Sequence, residues 1–213
     1  MARRTQAEAE KTRRKIISSA LELFSRKGYD KTTFIDIAQK LKMTKGAVYW
    51  HFKSKSDLLK VIIEEATLKF QNDIGFVGLG EDISFMMLAK RMVDKALILV
   101  NDPESLRVFI ILKTQIKWSD NSFAKLREEI LLANTIGPLE VFKRVIENGI
   151  KKGEIREDVR ANELSLSLFA MWDGLIQLHI DKFLSCDLRD ALMQMYETVW
   201  QSISVKNLNK KGK

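Results

Sequence analysis

Residues 32–52 read TTFIDIAQKLKMTKGAVYWHF, two short helical stripes with about three residues between them. Thr33 followed three residues on by Asp36 is a capping-box start, and Ile35, Ile37, Ala38 and Leu41 follow at helical spacing. Thr44 opens the second helix, which runs to His51 or Phe52. The order is that of a helix-turn-helix, in which one helix braces across the DNA backbone while the next enters the major groove. A small residue is needed where the helices cross, and Ala38 supplies it. Ile37, Leu41, Met43 and Val48 supply the apolar contacts between them. Thr44, Lys45 and Gly46 bring a hydroxyl, a charge and close backbone access to a helix end whose amides favour phosphate oxygens. Tyr49, Trp50 and His51 then add polar-tipped rings, followed by Lys53 and Lys55.

The charge distribution agrees with that reading. The 213 residues carry a formal net charge of +8. Residues 1–60 hold 15 basic and 6 acidic side chains, a net of +9, whereas residues 61–213 hold 21 basic and 22 acidic, a net of −1. The excess therefore sits in the first quarter of the chain, as expected of a polyanion-binding head on a neutral body. A single cysteine, Cys186, permits neither an intramolecular disulfide nor a cysteine metal cluster, so a cytoplasmic setting is the default. The first residues are too polar for a secretory signal, and no apolar run is long enough to cross a bilayer, so no membrane partner is expected.

Only two prolines interrupt the chain, and apolar residues recur at helical spacing almost throughout. The predicted class is all-α with about nine helices. A first helix carries Ile16, Ile17, Ala20, Leu21 and Phe24 and ends at Gly28. Ser54 with Asp57 starts a longer helix that runs to about Ile74, before Gly75, Gly78 and Gly80. Further helices are predicted over about 82–100, 103–117, 121–152, 162–183 and 188–205. Asp102 and Pro103 start the second of these, and Gly137–Pro138 should kink or break the third. Three divisions are expected: a helix-turn-helix domain over 1–54, a helical body over 55–206 and a frayed basic tail over 207–213.

The stretch 12–59 resembles the DNA-binding domain of the TetR family of transcriptional regulators. LELF-x3-GYDKTT, DIA, TKGAVYWHF and KSDLL carry the resemblance almost continuously. It implies that Thr33, Thr44, Lys45, Tyr49, His51 and Lys55 contact phosphates or the groove. Gly46, Ala47 and Trp50 fall where the recognition helix meets base edges. One position departs, because the turn usually carries glycine where this chain has Lys42. A left-handed Lys42 would cost on the order of 1 kcal/mol. GEIREDV and MWDGLI, within 153–178, are similar to the branch of multidrug-efflux repressors, the AcrR-like members. The resemblance implies a homodimer whose three N-terminal helices read DNA and whose remaining helices form a ligand-binding and dimerisation domain.

The body is rich in aromatic and methionine side chains, which can serve as ordinary core or as an adaptable cavity. Met86, Phe109, Trp118, Phe169, Trp172 and Gln177 are the candidate lining of a site for a small apolar or aromatic effector. Leu164, Leu168, Leu175, Leu192, Tyr196 and Val199 lie on repeating faces of the last two helices, which in this family pair with their symmetry mates. His179 has no cysteine or acidic cluster at metal-ligand spacing, and Asp173 lies six residues from it, off the same face. No nucleophile motif or phosphate-binding loop is present, so no enzyme, metal or cofactor is expected. The expected protein is a dimeric repressor that binds a palindromic operator in double-stranded DNA and is released by its effector. The rival is a TetR-fold structural DNA-binding factor, a nucleoid or division organiser, with no small-molecule inducer.

Overall fold

Buried faces three and four residues apart account for the longer helices of the computed structural model, which describes residues 6–72, 83–116, 124, 128 and 137–205. Among these residues there are nine long or short α-helices: α1 (Gln6–Lys27), α2 (Phe34–Lys40), α3 (Lys45–His51), α4 (Lys55–Asn72), α5 (Phe85–Asn101), α6 (Pro103–Thr114), α7 (Gly137–Lys151), α8 (Ala161–Ile180) and α9 (Leu188–Ile203). The all-α class is as the periodicity predicts. None of these helices is long and apolar enough to cross a membrane. Trp118, the predicted tail over 207–213 and the glycines after α4 lie outside the described residues.

Packing divides the chain into two units. The first holds α1–α4 together with α6. Ile16, Ala20 and Phe24 of α1 are fully buried, as are Leu58 and Leu59 of α4, and Val108 and Ile111 of α6 are buried too. Asp102 caps α6 by accepting the Ser105 amide at 3.0 Å, with Pro103 at the first helical position. The Lys69 ammonium donates to the same carboxylate at 2.8 Å and, with Ser105, holds its pKa down to about 2. At the other end of α6, the Gln115 side-chain oxygen accepts the Tyr29 amide at 3.0 Å. That end comes earlier than the predicted 117, because the Gln115 amide closes the last turn onto Ile111.

The second unit holds α5 and α7–α9. Leu88, Met92 and Ala96 of α5 share one buried stripe, and Phe142, Ile146, Leu168, Ile176 and Leu192 complete the core. Trp172 is pinned in it by an indole N–H donated to the Met92 carbonyl at 2.9 Å. Tyr196 stacks on Phe142 at 6.1 Å between ring centroids. The helix predicted over 121–152 is described from Gly137 onward, and its first turn holds Pro138. Gly149 has a purpose that periodicity does not reveal. A Cβ there would lie 2.6 Å from Ile155 Cδ1, and Ile155 is buried. The strand-like pairing of Ile155 with Ser204, sealed by Arg156 N–H to the Ile203 carbonyl at 2.9 Å, then ties this loop to the end of α9.

α8 stops at Ile180, short of the predicted 183, because Lys182 turns left-handed at φ 61° and the Phe183 amide closes back to the Leu178 carbonyl. A six-to-one closure of this kind is the Schellman ending that glycine usually serves.

Candidate nucleic-acid interface

The recognition surface rests on the α1–α2 corner. Gly28, at φ 96°, ends α1, and the Thr32 hydroxyl is buried and donates to the Gly28 carbonyl at 2.7 Å. Thr33 caps α2: its hydroxyl accepts the Asp36 amide while the Asp36 carboxylate accepts the Thr33 amide at 2.7 Å. Lys27 donates to the same carboxylate at 2.6 Å, and these bonds hold Asp36 well below the usual carboxylate range. The predicted capping box is therefore present and is reinforced from α1. Within α2, Phe34, Ile37 and Ala38 are buried, whereas Ile35 is 48% exposed. Phe34, absent from the predicted stripe, takes the inward position that Ile35 was expected to share. Its ring meets Tyr49 edge-on at 4.9 Å, so it braces the recognition helix.

The turn takes the geometry that the missing glycine implies. Lys42 has φ 53°, and the Met43 amide closes onto the Ala38 carbonyl at 2.9 Å. Lys42 is exposed. Lys42→Gly is expected to stabilise the protein by about 1 kcal/mol, read as a higher urea midpoint at unchanged slope. No gain would mean that the left-handed cost is offset locally.

Thr44 then caps α3, its hydroxyl accepting the Ala47 amide at 3.2 Å. Val48 alone of this helix is fully buried, against α2. Lys45, Gly46, Tyr49 and Trp50 are exposed on the far side, Trp50 by 72%. Ala47 and His51 are half-buried. The Lys45 ammonium lies 5.3 Å from the centre of the Tyr49 ring, and His51 meets Trp50 edge-on at 4.6 Å. Rings and a cation thus share one outward face, in contact with one another. A tryptophan so exposed on a short helix has no core to serve.

Lys55 is placed differently. Its ammonium donates to the Tyr29 carbonyl at 2.7 Å and the Asp30 carbonyl at 3.2 Å, and sits 4.4 Å from the Tyr29 ring centre. Burial lowers its pKa. The side chain predicted to touch phosphate is here a clamp between the start of α4 and the end of α1. The Asp57 amide donates to the Ser54 hydroxyl at 3.0 Å, as the predicted cap requires, but the Asp57 carboxylate accepts the Lys53 amide at 3.0 Å, one residue before the one a capping box uses.

Five of the six candidate effector residues are described, and they belong to both units; Trp118 lies outside the described residues. Phe109 belongs to the first unit, half-buried, with the Lys113 ammonium 5.5 Å from its ring centre. Met86, Phe169 and Trp172 belong to the second, where Phe169 stacks on Trp172 at 6.1 Å. Gln177 donates its side-chain amide to Asp181 at 2.9 Å, at the end of α8. Three of the six dimer candidates need correcting. Leu168, Leu192 and Tyr196 have no exposed surface within the single chain, so they are core and a second copy cannot bury them further. Leu164, Leu175 and Val199 are half-buried. The exposed apolar residues on α8 are Leu166, Met171 and Leu178, which the sequence stripe missed because it followed the inward face. No group of three or more metal-ligating side chains occurs among the described residues.

Residues 16–62 match the family described as bacterial regulatory proteins, tetR family. The chain is 30% identical over 210 residues to the HTH-type transcriptional regulator SrpR of Pseudomonas putida, covering 88% of this chain and 95% of that protein. Among solved structures, NalD, the secondary repressor of the MexAB-OprM multidrug efflux pump in Pseudomonas aeruginosa, superposes with a TM-score of 0.73 at 20% identity, covering 92% of this chain and 98% of NalD. SmeT in its complex with triclosan superposes with a TM-score of 0.71 at 22% identity over 91% of each chain. SmeT is the repressor of the Stenotrophomonas maltophilia efflux pump SmeDEF.

Proposed function

Because this chain belongs to the TetR family of bacterial regulatory proteins, transcriptional regulators rather than enzymes, we propose that it is a ligand-responsive repressor acting as a homodimer on a palindromic operator. The observation that carries the reading is the outward face of α3, where Lys45, Tyr49 and Trp50 stand clear of the fold on a head of net charge +9. Phosphate neutralisation by the head supplies sequence-independent affinity that falls as salt rises, and the rings and backbone of α3 supply discrimination. Two such heads, related by the two-fold axis of a dimer, read half-sites separated by whole helical turns.

The dimer face we assign is the outer side of α8. Met171 and Leu178 are exposed there, and Gly174 lies between them with nothing within 4 Å of a built Cβ. A small residue flanked by exposed apolar ones allows close approach by another helix, and a large apolar patch left on one chain is what an isologous contact covers. The effector site belongs to the second unit in this reading, with Met86, Phe169 and Trp172 as its nearest candidates. SmeT in complex with triclosan and NalD as an efflux-pump repressor support an apolar effector and an efflux target. An effector that prefers a conformation unsuited to the operator lowers DNA affinity by a coupling of about 1–3 kcal/mol, and DNA weakens the effector equally.

The test is fluorescence anisotropy with DNA from upstream of the gene at moderate salt. Trp50→Ala is expected to weaken binding about 10–100-fold, a loss of roughly 1–3 kcal/mol, while the oligomeric state stays the same. Lys45→Ala should weaken all sequences alike and reduce the salt slope by about one. Unchanged binding in Trp50→Ala would remove α3 as the reading element.

A further inference from the structure

Side chains that tell bases apart by hydrogen bonds are of few kinds: arginine or lysine at guanine, asparagine or glutamine at adenine, and carboxylates at cytosine. From Leu41 to Ser56, a span that holds the turn and the whole of α3, there is no arginine, asparagine, glutamine, aspartate or glutamate. Lys45 is the one exposed member of that set on α3, and its ammonium is a point charge that phosphates accept as readily as guanine does. The Thr44 hydroxyl does not discriminate, and the single N–H of the Trp50 indole suits the N7 of adenine and guanine alike. What remains on this face is apolar. Trp50 is 72% exposed, and Gly46 lies one turn before it on the same side of the helix. A Cβ at Gly46 would meet only the Thr44 Oγ1, at 3.9 Å, so no neighbour within the chain requires a glycine there. The Tyr49 ring is engaged on two sides, by the Phe34 edge at 4.9 Å and by the Lys45 ammonium at 5.3 Å. The indole thus offers bare apolar surface beside a position with no side chain.

We propose that the protein selects its operator through thymine methyl groups, one in each half-site, taken against the Trp50 indole in the notch that Gly46 leaves. This rests on α3 as the reading element and adds which base it selects and by which atom. In the major groove the C5-methyl of thymine is the one apolar group that a standard base presents, so an apolar reading face has a single natural counterpart. The methyl leaves water on contact, and its burial is worth about a fourfold gain in affinity. Lys45 and the other cations of the head then set how tightly any duplex is held, and Trp50 sets which duplex is preferred. Uracil keeps the O4 of thymine and its pairing with adenine and lacks only the methyl, so it isolates the atom in question.

The experiment starts from a duplex that the full chain selects out of a randomised pool. That duplex is remade with deoxyuridine at every thymidine, and both forms are titrated by fluorescence anisotropy at one salt concentration. At about fourfold for each methyl, the uracil duplex is expected to bind roughly 15-fold more weakly. Restoring thymidine at one position in each half-site should recover most of the loss. Trp50→Ala should bind the thymine and uracil duplexes within about twofold of each other. Equal binding of the two by the unaltered chain overturns the proposal, and so does a thymine preference that persists in Trp50→Ala. Equal binding by the unaltered chain, with Trp50→Ala weakened on both duplexes, would remove the methyl and leave α3 as the reading element. Trp50→Ala with undiminished affinity for the thymine duplex would remove α3 itself.

Discussion

Met171→Glu combined with Leu178→Glu is expected to turn the protein into a monomer and to lower operator affinity by two or more orders of magnitude. Each substitution appears twice across a two-fold axis, so four carboxylates would face one another where apolar surface is now left bare. Like charges desolvated in one interface cost several kcal/mol (on the order of the penalty for truncating a buried pair), more than a symmetric helix contact of ordinary size can absorb. Operator binding falls with it, because two linked heads gain roughly 10²–10⁴ in avidity that one head lacks. Sedimentation velocity reads the mass and anisotropy reads the affinity. Neither residue is buried in the single chain, so the monomer should keep its helical circular dichroism. A double variant that sediments as an unchanged dimer would show that the outer face of α8 is not the interface.

The second large effect is on stability. Lys95, on the buried stripe of α5, is 3% exposed, and burial pushes its pKa down to about 7 from an ordinary 10.5. Between those two values the unfolded chain holds a proton that the folded chain has released, so stability rises with pH across this window. Below about pH 7 both states are protonated and the full penalty applies, on the order of 5 kcal/mol. Above about pH 10 the trend reverses, because Tyr29, with its pKa raised to about 12 by burial, keeps its proton in the folded state while the unfolded phenol loses it. Lys95→Met is close in volume and removes the charge. It should raise the urea midpoint at pH 6.5 and flatten the rise between pH 7 and 10. A slope that survives in the variant would assign the pH dependence to other groups.

Much of the reading head was legible in the sequence, for reasons that are local. Capping boxes, a glycine stop and a small residue at a crossing each depend on a few neighbours, and Thr33–Asp36, Gly28 and Ala38 do in the structure what their types and spacing imply. Lys42 was also legible, as a lysine standing where the backbone must turn left-handed. What the sequence did not disclose depends on residues far away along the chain. Lys55, expected to contact phosphate, donates to carbonyls 26 and 25 residues earlier, partners that its own sequence neighbours do not announce. Leu168, Leu192 and Tyr196 share their spacing with any interface stripe, and only the packing of α5, α7, α8 and α9 reveals that one chain already covers them. Periodicity names the faces of a helix and does not say which of two apolar faces meets its own chain and which meets another.

The hydrogen bond from the Tyr29 amide to Gln115, with Val108 and Ile111 buried in the same unit as α1, bears on how such regulators can be recombined. A graft that exchanges only residues 1–54 would carry a reading head to a new host without the α6 that completes it. The recipient would then have to offer a matching side-chain oxygen and the same apolar contour from a segment nearly fifty residues downstream. Chimeras made at the motif boundary should therefore lose thermal stability in proportion to the mismatch at α6, and transplanting residues 102–116 together with the head should restore it.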